Sequence, residues 1–230
     1  MANLRRLASF PGLLLLVAVF FVAVHAVAQE EGDGEVADAQ QSGEEAAQTV
    51  QGGVADLVAK PKEALSPEEI EAGQQAFLEV ASVLQSPRCM NCHPAGNRPL
   101  QTDESVPHAF AVSRTSEDAG LQCATCHREQ NSEAWGVDGG PPGAPHWGLP
   151  PADMPMVFQG RTPRQLCEQL KDPEKSGHQT LDEFVEHLKH DKLVHWGWEP
   201  GGDRTTPPLG YEEFVDHAKI WVASGGVCPD

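Results

Sequence analysis

The chain has 230 residues, room for one ordinary domain with tails or for two small ones. Its formal charge is −18, a surface that repels nucleic acid and anionic lipid and attracts a partner carrying a basic docking patch.

Met1 to Ala28 reads as a secretory signal. Arg5 and Arg6 form a basic start, Leu13 to Val24 is an unbroken apolar run, and Ala26-Val27-Ala28 is a small-x-small cleavage site. The mature polypeptide is then expected to begin at Gln29, in the periplasm. The alternative is an uncleaved membrane anchor, because Leu7 to Ala28 approaches the length of a bilayer span. Residues 29–65 read as a disordered acidic tether. Gln29 to Val50 has seven acids and no aromatic side chain, too little apolar surface to offset the entropy of ordering.

The folded part is expected from Ser66 onward. Ser66-Pro67-Glu68-Glu69 is a capping box with proline at the first helical position. Ile70, Phe77, Val80, Ala81 and Leu84 share one helical face, and Pro87 is expected to end the helix. Two copies of one word follow: Cys89-Met90-Asn91-Cys92-His93 and Cys123-Ala124-Thr125-Cys126-His127. Each reads C-x-x-C-H, the attachment signature of c-type haem. The four cysteines would form thioethers to two haem c groups, and His93 and His127 would ligate the irons. The rival is a single zinc site using Cys89, Cys92, Cys123 and Cys126. It leaves both following histidines without a role and has no need of export.

Between Cys89 and Gly160 periodicity disappears, and proline, glycine and histidine dominate, above all in Gly139 to Pro151. A stretch with so little regular structure needs another source of cohesion, which two buried haems would supply. Helices are expected again from Thr162-Pro163 through Leu170, from the capping box Thr180-Leu181-Asp182-Glu183 through His190, and over Tyr211 to Ala223, closed by Gly225-Gly226. Trp196 to Gly202 reads as a loop with two large aromatics. Cys167 and Cys228 are the even pair left over, and in an oxidising compartment they are expected to form a disulfide rather than remain thiols.

The sixth ligand of each iron sets its potential and decides between electron transfer and catalysis. His108, in the loop between the words, and His146, in the proline-rich wrap, are the first candidates. Met154 and Met156 are the alternatives, with methionine packed against porphyrin as the plain reading. His178, His187, His190 and His217 lie in or near helices among charged neighbours and are expected to face solvent, and His195 is an outside candidate.

The run Cys89 to Leu100, then Pro107-His108, then Gly120 to His127, with Pro141 to Pro145, Leu149-Pro150-Pro151 and Trp196-Gly197-Trp198, resembles a group of bacterial exported dihaem cytochromes. Their members are named as subunits of isoquinoline 1-oxidoreductase-like molybdenum hydroxylases. The similarity covers about Glu68 to Pro229. It implies a molybdenum enzyme as redox partner, although no molybdopterin or iron–sulfur site is present in this sequence. Some members carry a histidine where this chain has Gly148, which weakens the case for His146. Dihaem peroxidases are longer, with their two words much further apart than the 34 positions from His93 to His127.

The expected fold is therefore mainly α. A small multihaem cytochrome c-like domain over 66–160 has long haem-wrapping loops, and a C-terminal helical part over 161–230 packs on it. The expected function is that of a non-enzymatic electron carrier. The alternative is a haem enzyme whose open iron site acts on peroxide or another small molecule.

Overall fold

Ser66 caps helix α1 (Pro67–Leu84) as the capping box requires. Its hydroxyl accepts the Glu69 amide at 3.2 Å, and the Glu69 carboxylate accepts the Ser66 amide at 2.8 Å. The computed structural model describes residues 64–116, 119–132 and 140–230. The signal segment and the tether up to residue 63 lie outside them. Within these residues the protein is mainly helical, 42% helix against 3% strand.

Helix α1 stops at Leu84. Pro87 then takes the first position of a second, short helix, α2 (Pro87–Met90), which carries Cys89. A proline that cannot continue one helix is well suited to open the next, because its missing N–H would have no partner there. A small antiparallel pair, β1 (Leu100–Gln101) with β2 (Val106–Pro107), folds back the segment after the first word. Thr102 and Ser105 sit in its turn at φ of 63° and 51°. Two-residue strands carry no readable alternation, so periodicity does not announce them.

Five more helices follow: α3 (Pro163–Lys171), α4 (Pro173–Ser176), α5 (Leu181–His190), α6 (Lys192–Trp196) and α7 (Tyr211–Ala223). Thr162 completes a second capping box with Gln165. At α5 the box is only half made: Thr180 accepts the Glu183 amide, but the Glu183 carboxylate turns to the Gln179 amide at 2.7 Å. Trp196, expected in a loop, is the last residue of α6.

The core lies where α7 packs along α1, with α3 and α5 closing it. Phe77, Val80, Leu166, Leu170, Phe214, Ala218 and Trp221 are buried there. The ring centroids of Phe77 and Trp221 are 4.7 Å apart, and the Trp221 indole donates to the Val227 carbonyl at 3.0 Å. Helices from before the cysteine words and from the C-terminal part thus share one core. Gly73 is the point of closest approach: a Cβ there would lie 1.9 Å from Ser224 Oγ.

Cys167 and Cys228 are joined by a disulfide spanning 61 positions, which ties the C-terminal tail to α3. Closing a loop of that length stabilises by about 2–4 kcal/mol. The double variant C167S/C228S should lose that amount in urea denaturation, and addition of reductant should leave the variant's midpoint where it is.

Candidate functional site

Each cysteine word coils into one helical turn. In the first, the Cys92 amide donates to the Cys89 carbonyl at 3.2 Å and the His93 amide to the Met90 carbonyl at 3.0 Å. In the second, Cys123–Thr125 is a 3₁₀ turn, and the His127 amide donates to the Cys123 carbonyl at 2.9 Å. Residues three apart on such a turn share a face, so both thiols of a word can be presented to one flat partner. None of the four cysteines is in a disulfide.

The two histidines are held in the same way by unrelated parts of the chain. His93 Nδ1 lies 2.7 Å from the Met156 carbonyl oxygen, and its ring stacks on Phe158 at 3.9 Å with 13° between planes. His127 Nδ1 lies 2.7 Å from the Pro142 carbonyl oxygen, and its ring stacks on Trp147 at 4.7 Å and 7°. A carbonyl can only accept, so Nδ1 carries the proton and Nε2 keeps its lone pair. This is how metal-ligating histidines are oriented. Burial, opposed by the Met156 bond, holds His93 down at about 4, with the charges of Arg114 and His187 adding to the effect. Burial likewise lowers His127. Both rings are therefore neutral donors at pH 7.

Supporting layers fix the second histidine further. Trp147 meets Trp196 edge-on at 4.8 Å, and the Trp196 indole donates to Asn131 Oδ1 at 2.8 Å. Asn131 Oδ1 also accepts the Gly143 amide at 3.0 Å. The wrap closes so tightly on the second word that a Cβ at Gly143 would lie 2.3 Å from the Gln130 carbonyl oxygen. Arg114 clamps the same wrap near the first word, donating to the carbonyls of Pro150 and Pro155.

Burial pushes the Cys89 thiol up to about 12 and the Cys92 thiol to about 11; the neighbouring Cys123 raises Cys92 further, so the two words are adjacent. In the haem-free polypeptide at pH 8, Cys89 should resist iodoacetamide. A rise from 9.0 to about 12 cuts the reactive thiolate roughly a thousandfold, while exposed Cys126 should alkylate first. Peptide mass spectrometry over a time course would give the order.

The residues fit a porphyrin better than an ion. Among the described residues no three or more His, Cys, Asp or Glu side chains gather as a metal ion needs. The segment between the words leaves apolar side chains exposed. Val106, Phe110 and Leu121 are 42%, 66% and 50% exposed, all in the segment between the words. A cleft of about 530 Å³ is lined by Ala124, His127, Ala144, His146 and Trp147 among others. Among the described residues, the buried Nε atoms of Arg88, next to Cys89, and of Arg114 have no hydrogen-bond partner, while Arg88 pairs with Asp103 and Arg114 donates through its terminal nitrogens to the Pro150 and Pro155 carbonyls.

The candidate distal donors fall in different places. The His108 ring centroid lies 6.1 Å from that of His127. Two imidazoles sharing one metal through bonds of about 2 Å have centroids about 6 Å apart. Its Nδ1, however, accepts the Phe110 amide at 3.2 Å. His146 is exposed at φ 61° on the rim of the cleft. Met156 serves His93 through its carbonyl, with its side chain packed on the core. Met154 lies against Gly177. His195 Nε2 is held by the Lys189 carbonyl at 2.9 Å and by Tyr211. His178 and His187, both expected in solvent, stand together with ring centroids 5.1 Å apart; His178 is half-buried, while the His187 side chain is 39% exposed. The charged residues around them hid this, since periodicity reads the apolar face of α5 and not the residue at its edge.

Neither a protein-family model nor a curated protein nor a solved structure matches the chain.

Proposed function

We propose that this protein is an exported dihaem c-type cytochrome that passes electrons between redox partners. The observation that carries the reading is the duplicated one. Both C-x-x-C-H words end in a histidine whose Nδ1 is bonded to a backbone carbonyl at 2.7 Å and whose ring is stacked on an aromatic. In this reading Cys89, Cys92, Cys123 and Cys126 hold two haem c groups, and His93 and His127 are the proximal ligands. When bound, the haem irons supply reversible one-electron transfer. The chain's own residues set the imidazole planes, keep Nε2 unprotonated and shield the proximal faces with Phe158 and Trp147. Adjacent words make the pair a short path for electrons.

The donor we propose is a molybdenum hydroxylase of the cell envelope, on the resemblance of Cys89 to Leu100, Pro107-His108 and Gly120 to His127. The acidic surface, with its formal charge of −18, suits a basic docking face on such a partner. Intact mass and a pyridine haemochrome assay on protein made with haem-maturation machinery test the core of the reading. A mass increase of anything other than two haems overturns it.

One observation favours a second reading, in which one iron keeps an open site for peroxide or another small molecule. His108 accepts an amide at Nδ1, which places its proton on Nε2, where a ligand needs a lone pair. A high-spin component in the EPR spectrum of the oxidised wild type, lost on adding cyanide, would support it. Fully low-spin irons that bind no added ligand would rule it out.

A further inference from the structure

We propose that Trp196, the last residue of α6, is a positioning residue shared by the two haem words. It sets the ring plane of His127 through Trp147, and it holds Arg88, the residue before Cys89, over its own ring. The proposal rests on the reading of both words as haem-bearing. It deepens that reading by giving one side chain of the C-terminal part a role at both irons.

Toward the second word, Trp147 lies parallel to His127, with 7° between planes at 4.7 Å, and Trp196 stands perpendicular to Trp147, 86° at 4.8 Å. The Trp196 indole N–H is fixed by Asn131 Oδ1 at 2.8 Å, and Asn131 Nδ2 donates to the Glu199 carbonyl at 2.9 Å. Trp196 cannot slide past Trp147 without breaking a hydrogen bond. Toward the first word, the Arg88 guanidinium carbon stands 5.9 Å from the centroid of the Trp196 ring, within the range of a cation–π contact. A Cβ at Gly197 would lie 3.8 Å from the Arg88 Cβ, so the end of α6 passes directly beside α2. The Arg88 side chain is 3% exposed and pairs with Asp103, whose Oδ2 accepts the Thr205 amide at 3.1 Å. An ion pair so confined beside Cys89 is a fixed dipole near the first iron, and dipoles act strongly where water is excluded.

The two contacts use different parts of one side chain. The N–H goes to Asn131 and the ring face to Arg88, so a phenylalanine keeps the second contact and loses the first. Trp198, two positions on, serves the helical core instead: its ring meets Tyr211 at 5.3 Å and Phe214 at 5.4 Å.

The test uses the full chain matured with its haems, and His127→Ala marks which signal belongs to the second word. Intact mass comes first: a wild type without two haems fails the cytochrome reading itself, and the proposal falls with it. With two haems present, Trp196→Leu is expected to shift the EPR signals and the midpoint potentials of both. Trp196→Phe is expected to shift the second haem only, and Arg88→Met the first only. Trp198→Leu, which removes an aromatic of the same size from the core side, is expected to leave both potentials in place. The proposal is overturned if Trp196→Leu moves one haem or neither, or if Trp198→Leu moves both as far. Should Trp196→Leu fail to mature, Trp196→Phe and Arg88→Met decide. Two unchanged potentials in either variant, or the same haem shifted by both, then overturn the proposal.

Discussion

His127→Ala should abolish the low-spin signature of one haem while leaving its mass in place. In the proposed dihaem cytochrome the thioethers through Cys123 and Cys126 would not depend on the imidazole, so intact mass should still show two haems. The iron would, however, lose a donor that the fold orients. Pro142 fixes the proton on Nδ1, Trp147 fixes the ring plane, and Trp196 and Asn131 fix Trp147 and the wrap. The expected result is loss of about half the reduced α-band and a high-spin signal that added imidazole returns to low-spin. An unchanged spectrum in a protein with two haems would show that His127 does not ligate. Trp147→Leu should be milder. It keeps the ligand but removes the stack, broadening the low-spin signal of that haem alone.

Trp221→Ala should cost about 3–5 kcal/mol, the range for emptying a large aromatic from a close-packed core. Trp221 is fully buried, packs on Phe77 at 4.7 Å and on Phe184 at 6.1 Å, and gives its indole N–H to the Val227 carbonyl. The alanine variant leaves a cavity between α1 and α7 and an unpaired carbonyl beside the disulfide. Urea denaturation followed by far-UV circular dichroism measures the loss. Trp221→Phe should recover more than half, because the ring contacts return and only the hydrogen bond is missing. A loss below 1 kcal/mol for the alanine variant would mean that α1 and α7 do not form the core.

The helical part of this fold was legible because its signals are local. Ser66, Thr162 and Thr180 announce helix starts, and the apolar faces of α1 and α7 repeat at helical spacing. What was not legible depends on contacts between distant segments. The tie from His93 to Met156 spans 63 positions, and the contact between Trp147 and Trp196 brings together a loop and the end of α6, which share no periodicity. The thiol pair Cys167–Cys228 was found by arithmetic on cysteines, whereas the pairing of His178 with His187 was missed. Each looks like a surface histidine until Gly177, at φ 75°, turns the chain back and places them together.

Phe77 and Trp221, the central pair of the core, are separated by more than half the chain. A polypeptide threaded outward N-terminus first cannot close that core until its last helix has crossed. Cys89, Cys92, Cys123 and Cys126 all emerge before Trp221 and before Cys228. In the exported cytochrome we propose, the attachment chemistry would meet an open chain in which the thiols that burial later silences are still accessible. Long-range closure of this kind is slow, and in that reading the delay would set the window in which attachment must finish.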